Sequence, residues 1–458
     1  MAVLGGRIVA VGRVPEAGAH EIDAAGCIVA PGFIDVHTHA EGILRLPLAE
    51  NFIRQGVTSL VLGNCGGSEL DLAAFFAEVE RIEVAPNVAS LIGHNTVRSK
   101  AMGGSFNRAP TAEELTEMKR LVEQAMRDGA VGLSTGLIYQ PGVFAETKEI
   151  VELARVAASF DGIYTSHMRS EGDRILDSLN EVARIAREAG IRCEVSHIKL
   201  SGNNNWGRAA EVLGAIEKAR AEGLDITQDQ YAYTASSTGL SQLVPHWARE
   251  GGTTAYAERY ADEAARKRMS DEMREALARR KKDTYDWVTI AACPSDASLN
   301  GKAVPEAARL RRGTDTLDDQ IALILELQRT NDTAGIFHGI SEDDLRAFMA
   351  HPRGYGNHAR VLGRYVRELG VLRLEDAIRK MTSLPATTFR LKDRGVIRVG
   401  AWADITVFDP AQVTDNATYD QPHQYATGMH CVIVNGVPVV RDDAVTGARP
   451  GRVLRRGQ

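Results

Sequence analysis

Gly32-Phe33-Ile34-Asp35-Val36-His37-Thr38-His39 opens on an apolar run and closes on two histidines two residues apart. Successive side chains of a strand alternate faces, so His37 and His39 share one side and can reach one metal or one oxygen. The bland alternative is a hydrogen-bonded histidine pair at a strand end. Six further runs of strand character follow: 57–63 (VTSLVLG), 88–93 (VASLIG), 130–136 (AVGLSTG), 162–167 (GIYTSH), 192–198 (RCEVSHI) and 225–231 (DITQDQY).

Helical patterns separate these runs. Residues 111–128 start with a capping box, Thr111 at the cap and Glu114 three residues on. Their apolar positions then recur every three or four residues. Residues 177–189 and 206–222 are followed by Gly190 and Gly223, the residue type favoured after a helix end. Strands alternating with helices imply βαβ units around a parallel sheet. The count is seven strands, one short of an α/β barrel of TIM type.

Both ends of the chain read differently. RIVAVG, HEIDAAG and CIVAPG within 7–31, and GVIRVG, DITVFD and CVIVNGVPVV within 394–441, are short and punctuated by Gly, Asn and Asp. The expected layout is a small β-sandwich from 1–31 and 394–458, a barrel from 32–248 and 313–393, and an inserted subdomain at 249–312. The mixed charges of 258–283 in that insertion suit a solvated helix face better than a contact surface.

The chain has 458 residues and a net charge of −6, which argues against a nucleic-acid partner. It has no apolar run long enough to span a bilayer and no signal-peptide pattern, so a soluble cytoplasmic protein without a membrane partner is expected. Five scattered cysteines do not form a disulfide framework.

Chemistry gathers at strand ends. Cys65 follows the second run in Gly-Asn-Cys-Gly-Gly, His167 ends the fifth and His197 ends the sixth. In a barrel this is the face where active sites form. One thiolate and several imidazoles suit zinc, and three protein ligands leave a position open. A buried cysteine is more often a small hydrophobe, the reading adopted for Cys27, Cys193, Cys293 and Cys431.

Taken together, APGFIDVHTH (30–39), GVTSLVLGNCG (56–66), GLSTGLIYQPG (132–142), SHMRSE (166–171), VSHIKLSG (195–202), YAYTASST (231–238) and VLGRYVRE (361–368) resemble the N-acyl-D-amino-acid deacylases. These D-aminoacylases belong to the metal-dependent amidohydrolase superfamily. The resemblance implies zinc on Cys65, His167 and His197, with His37 and His39 at a weaker second metal position. It also implies substrate contacts from Tyr139, Lys199, Tyr231, Ser236 and Arg353. The expected reaction is hydrolysis of a small-molecule N-acyl-D-amino acid to a carboxylate and a free D-amino acid. Gly239 to Val244 carries no cation, so an apolar amino-acid side chain is expected. A cyclic-amide hydrolase is disfavoured, since the fourth strand lacks the lysine those relatives use.

Two departures stand out. The family places a general-base aspartate at the tip of the eighth strand, and no Gly-Ser-Asp-Gly-like segment occurs here. The helix expected from Ser341 runs through His351-Pro352 directly into Arg353-Gly354-Tyr355-Gly356. An eighth-strand segment is therefore expected to be missing near 352–353. The catalytic base is unassigned, and a zinc-binding but impaired paralogue or a truncated chain is the alternative. The first strands of the small β-domain are likewise expected to be missing, since Met1 falls just before the GGRIVAVG run.

Overall fold

Parallel strands succeed one another in space in the order they occupy along the chain. The computed structural model describes residues 1–352, 354–355, 358–419 and 421–457. β1 (Phe33–Asp35) pairs with β2 (Val57–Leu62), and β2 with β3 (Asn87–Ser90). The chain of β3 continues through Ile92–Gly93 to pair with β4 (Gly132–Gly136). β5 (Ile163–His167), β6 (Arg192–Val195) and β7 (Ile226–Asp229) follow in register. This is the strand order of a TIM-type (β/α)8 barrel. All seven runs read from the sequence are strands.

The eighth position holds only a two-residue strand, at the place where most of a strand was expected to be missing. β8 (Gly354–Tyr355) pairs parallel with β7 through Gln228↔Gly354 and Asp229↔Tyr355. It is only two residues long because the helix Glu342–Ala350 ends just before it and a helix begins at His358. Among the described residues no ladder joins β8 to β1.

Strand alternation sets the core. Leu60 and Leu62 face the helices, whereas Val61, with Ile34, Ala89, Leu91 and Ile163, packs against Leu384 and Phe389. Burial on both faces explains why these strands read as continuous apolar runs. The helix Ala112–Asp128 carries its capping box, and Gly129 ends it in the left-handed region at φ 114°.

The termini share one antiparallel sheet, in which Ile28–Pro31 pairs with Ile405–Phe408, followed by Cys431–Val434, Val437–Arg441 and Ala444–Val445. One face packs Ile405, Val407 and Ile433 with Ile8 and Val3; the other packs Val432, Val434 and Val440 with Ile53 and Ala85. Ala2–Leu4, which the sequence did not suggest as a strand, pairs with Arg7–Ala10. HEIDAAG (20–26) and GVIRVG (395–400) are not strands.

The inserted unit is wider than 249–312. Ala235–Gly239 and Val288–Ala292 flank Ala334–His338 in an antiparallel sheet. Tyr256, Met269, Trp287, Leu323 and Phe337 build its separate core. Ala235–Gly239 and Ala334–His338 lie outside the expected bounds because they pair with each other across some 100 intervening residues, a contact that local pattern does not encode. His338 sits on this sheet with Nε2 3.2 Å from the Thr289 hydroxyl. Among the described residues no helix is long and apolar enough to cross a membrane.

Candidate metal centre

The turn after β2 is pinned before Cys65 is presented. Asn64 donates to the carbonyls of Val36 (3.1 Å) and Val61 (3.0 Å), tying the turn to β1 beside His37. Gly66 N–H donates to the Ser134 hydroxyl at 3.0 Å. A β-carbon on Gly136 would lie 2.0 Å from the Cys65 carbonyl, so β4 packs directly on this backbone. Cys65 itself has φ 53°, and His197 has φ 36°. Both are non-glycine residues in the left-handed region, at a cost of roughly 1–2 kcal/mol each. Such strain collects where geometry serves a site.

Three imidazole nitrogens converge on the Cys65 sulfur: His37 Nε2 at 3.3 Å, His197 Nε2 at 3.5 Å and His167 Nδ1 at 3.7 Å. With Zn–S of about 2.3 Å and Zn–N of about 2.0 Å, the S···N edge of a tetrahedral site is about 3.5 Å. The observed edges bracket that value, and a thiol with imidazoles is a zinc-type donor set. Cys65, His167 and His197 are all buried, whereas His39 is exposed and joins only an outer group with His37 and Cys65. Burial pushes the Cys65 thiol up, but His37 and the hydrogen bonds from the three histidines outweigh it and favour the thiolate.

Carboxylates behind the histidines orient them. His37 Nδ1 lies 3.2 Å from Asp229 Oδ2, while Asp229 Oδ1 accepts the His197 backbone N–H at 2.6 Å. His197 Nδ1 lies 2.9 Å from Glu171 Oε1. A proton on each of these Nδ1 atoms leaves the Nε2 lone pair aimed at the metal position, the usual second-sphere arrangement of a metal-bound histidine. Lys199 donates to Glu171 (2.5 Å) and to the His197 carbonyl (2.7 Å). Burial raises the Glu171 carboxyl, but Lys199 and the imidazoles hold it well below the ordinary carboxylate range.

His37, Cys65, His167, Glu171 and His197 line a cavity of about 1540 Å³ between the strand ends and the inserted sheet. Tyr139, Lys199, Tyr231 and Ser236 line it too. The Tyr139 ring lies edge-on to His167 at 4.9 Å, and its hydroxyl accepts from Thr238 at 3.1 Å. The Tyr231 hydroxyl is buried without a hydrogen-bond partner among the described groups. Arg353 lies outside the described residues. Glu171 and Asp229 were not singled out from sequence. Their signal was present: each lies at or just beyond a strand end, on the face that carries the histidines.

The amidohydrolase family matches residues 20–440. The D-aminoacylase of Alcaligenes xylosoxydans xylosoxydans is 37% identical over 100% of this chain and 93% of its own length. The chain belongs to the D-aminoacylase family of amidohydrolases. That alignment runs over 498 positions, more than the chain's 458 residues, so the relative carries internal residues that this family member lacks. A D-aminoacylase crystal structure superposes with a TM-score of 0.84 at 33% identity, covering 99% of this chain and 94% of the other. The N-acyl-D-glutamate deacylase of Bordetella bronchiseptica, solved with zinc and a phosphonate inhibitor, gives 0.82 at 34% identity, covering 98% and 94%.

Proposed function

We propose that this family member hydrolyses the amide bond of N-acyl-D-amino acids with apolar side chains, as a cytoplasmic enzyme. One zinc would be held by Cys65, His167 and His197, with a weaker second position at His37 and His39. The observation that carries this reading is the ring of imidazole nitrogens 3.3–3.7 Å from one sulfur at the base of a substrate-sized cavity. When bound, zinc supplies Lewis acidity toward a carbonyl and acidifies water.

The chain's own residues bind and orient. Lys199 Nζ also lies 2.9 Å from His197 Nδ1; with that nitrogen protonated toward Glu171, Lys199 keeps one of its three N–H bonds for a substrate carboxylate. Tyr139 and Ser236 line the cavity, and the buried Tyr231 hydroxyl is available to a polar substrate atom.

Proton transfer is the weak step. β8 brings only Gly354 and Tyr355 to the eighth position. Asp35 accepts the His37 backbone N–H and is pushed up to about 6 by burial. The carboxylates Glu171 and Asp229 also border the histidines and are held below their ordinary values by neighbouring cations despite burial. They are correspondingly poor acceptors. A well-tuned base is typically worth ~10²–10⁴-fold, and turnover slower by that order is expected. The short β8 favours one second reading, a zinc-binding paralogue with impaired catalysis.

The test is zinc content together with hydrolysis of N-acetyl-D-methionine and its L counterpart. About one zinc per chain with slow D-specific hydrolysis supports the proposal. Zinc without hydrolysis selects the impaired paralogue. A chain that binds no zinc, or prefers the L substrate, overturns both.

A further inference from the structure

Cations around the cavity differ in one respect. Arg169, Arg174, Lys199, Arg279 and Arg360 each have a carboxylate within 4 Å. Arg280, which lines the same cavity, has none among the described residues. It stands at the end of the inserted helix Glu263–Arg279, half-buried, with its guanidinium 4.8 Å above the Trp287 ring. The carboxylate acting on it from further off is Asp173, whose Oδ1 already accepts from the side-chain amides of Asn204 and Asn205.

Arg280 is tied to the catalytic side of the cavity by its neighbours. A β-carbon on Gly202 would lie 3.7 Å from Arg280 Nη1, and Gly202 is three residues beyond Lys199. Ser201 N–H donates to the Glu171 carbonyl at 2.7 Å. The guanidinium therefore faces the loop that also presents Lys199, one layer further out. Trp287 is 8% exposed, and its indole N–H is likewise without an acceptor among the described residues. Stacking on the indole fixes the guanidinium plane, leaving its edge as a planar fork suited to a carboxylate.

We propose that Arg280, stacked on Trp287, is a second anion subsite that receives a carboxylate carried by the substrate away from the scissile amide. This rests on the deacylase reading above. Two substrate parts can supply that group: a dicarboxylic acyl chain, which keeps the apolar amino-acid side chain, or an acidic side chain, which would replace it.

The test is equilibrium binding by calorimetry on the full, zinc-loaded chain, so that slow or absent turnover does not hide the answer. The probes are N-acetyl-D-methionine, N-succinyl-D-methionine and N-acetyl-D-glutamate. One anionic probe is expected to bind about tenfold more tightly than N-acetyl-D-methionine, the scale of one charge-assisted pair. Which one wins identifies the source of the carboxylate. Arg280→Met is expected to erase that advantage and Arg280→Lys to keep part of it, with melting curves confirming that both fold. Should Arg280→Met not fold, loss of part of the advantage in Arg280→Lys serves as the readout. An equal affinity for all three, or an advantage untouched by substitution, overturns the subsite while leaving the deacylase reading standing. Failure of every probe to bind overturns both.

Discussion

The imidazole of His358 stacks on the Phe33 ring at a centroid separation of 5.5 Å and an interplanar angle of 14°. It also hydrogen-bonds to the backbone of Ile34. Phe33 and Ile34 belong to β1, the strand that no ladder joins to the two-residue β8 among the described residues. An unpaired strand edge is a liability that proteins cover. Here a side chain from the segment just after β8 does part of what a longer strand would do, and it keeps the strand ends that carry His37 and Asp229 in place.

This arrangement makes the fold acid-sensitive. Burial depresses His358 to about 4, below the ordinary histidine value, with the Ile34 bond opposing only in part. A depressed folded-state value means that stability is full above the unfolded value of ~6.5 and lost as pH falls through about 4. The wild type is expected to lose on the order of 2–3 kcal/mol more than His358→Asn between pH 7 and pH 4. Urea unfolding across that range checks it; parallel pH curves would remove His358 as the cause.

Loss of the sulfur should be felt more than loss of any outer group. Cys65→Ala is expected to weaken zinc by more than the ~10–100-fold typical of second-sphere changes. In the metal-free wild type, Cys65 should react with iodoacetamide ahead of Cys193 and Cys431, whose thiols burial pushes up. Added zinc should protect it. Peptide mass mapping reads out the order of labelling, and preferential labelling elsewhere would contradict a thiolate at this position.

Lys199 and Glu171 stand or fall together. Lys199→Met leaves a carboxylate that is 10% exposed without its ammonium partner, a loss of about 3–5 kcal/mol. Lys199→Met with Glu171→Gln should recover most of it, since no buried charge is then stranded. Substrate KM should stay high in both. A double variant no more stable than Lys199→Met alone would show that the pair does not carry this energy.

Asp229 is expected to distinguish the two proposed metal positions. In Asp229→Asn, one side-chain oxygen can still accept the His197 N–H, but an amide nitrogen cannot accept from His37 Nδ1. The weaker metal is expected to lose ~10–100-fold in affinity, and the tighter one less. Competition with a chelator of graded strength resolves the two, and equal losses would place Asp229 behind both.

The sequence alone carried the features whose signal is local. All seven strand runs, the Thr111/Glu114 box and the glycine-ended helices were legible because alternation, capping and left-handed turns are written within a few residues. Placing Cys65, His167 and His197 at strand ends of one sheet was enough to name a zinc-type donor set. It was not enough to find Glu171, Asp229 or Arg280, whose roles depend on what stands opposite them. HEIDAAG failed as a strand for the same reason, since a polar alternating run becomes a strand only where a partner edge receives it.

Tertiary structure decided everything that depends on pairing across long separations. It set the wide inserted sheet from Ala235 to His338, the two-residue β8, the left-handed backbone at Cys65 and His197, and the carboxylates behind the histidines. The physical reason is that a side chain's chemistry comes with its residue type, whereas its protonation, orientation and partners are set by burial and by charges brought near from distant parts of the chain.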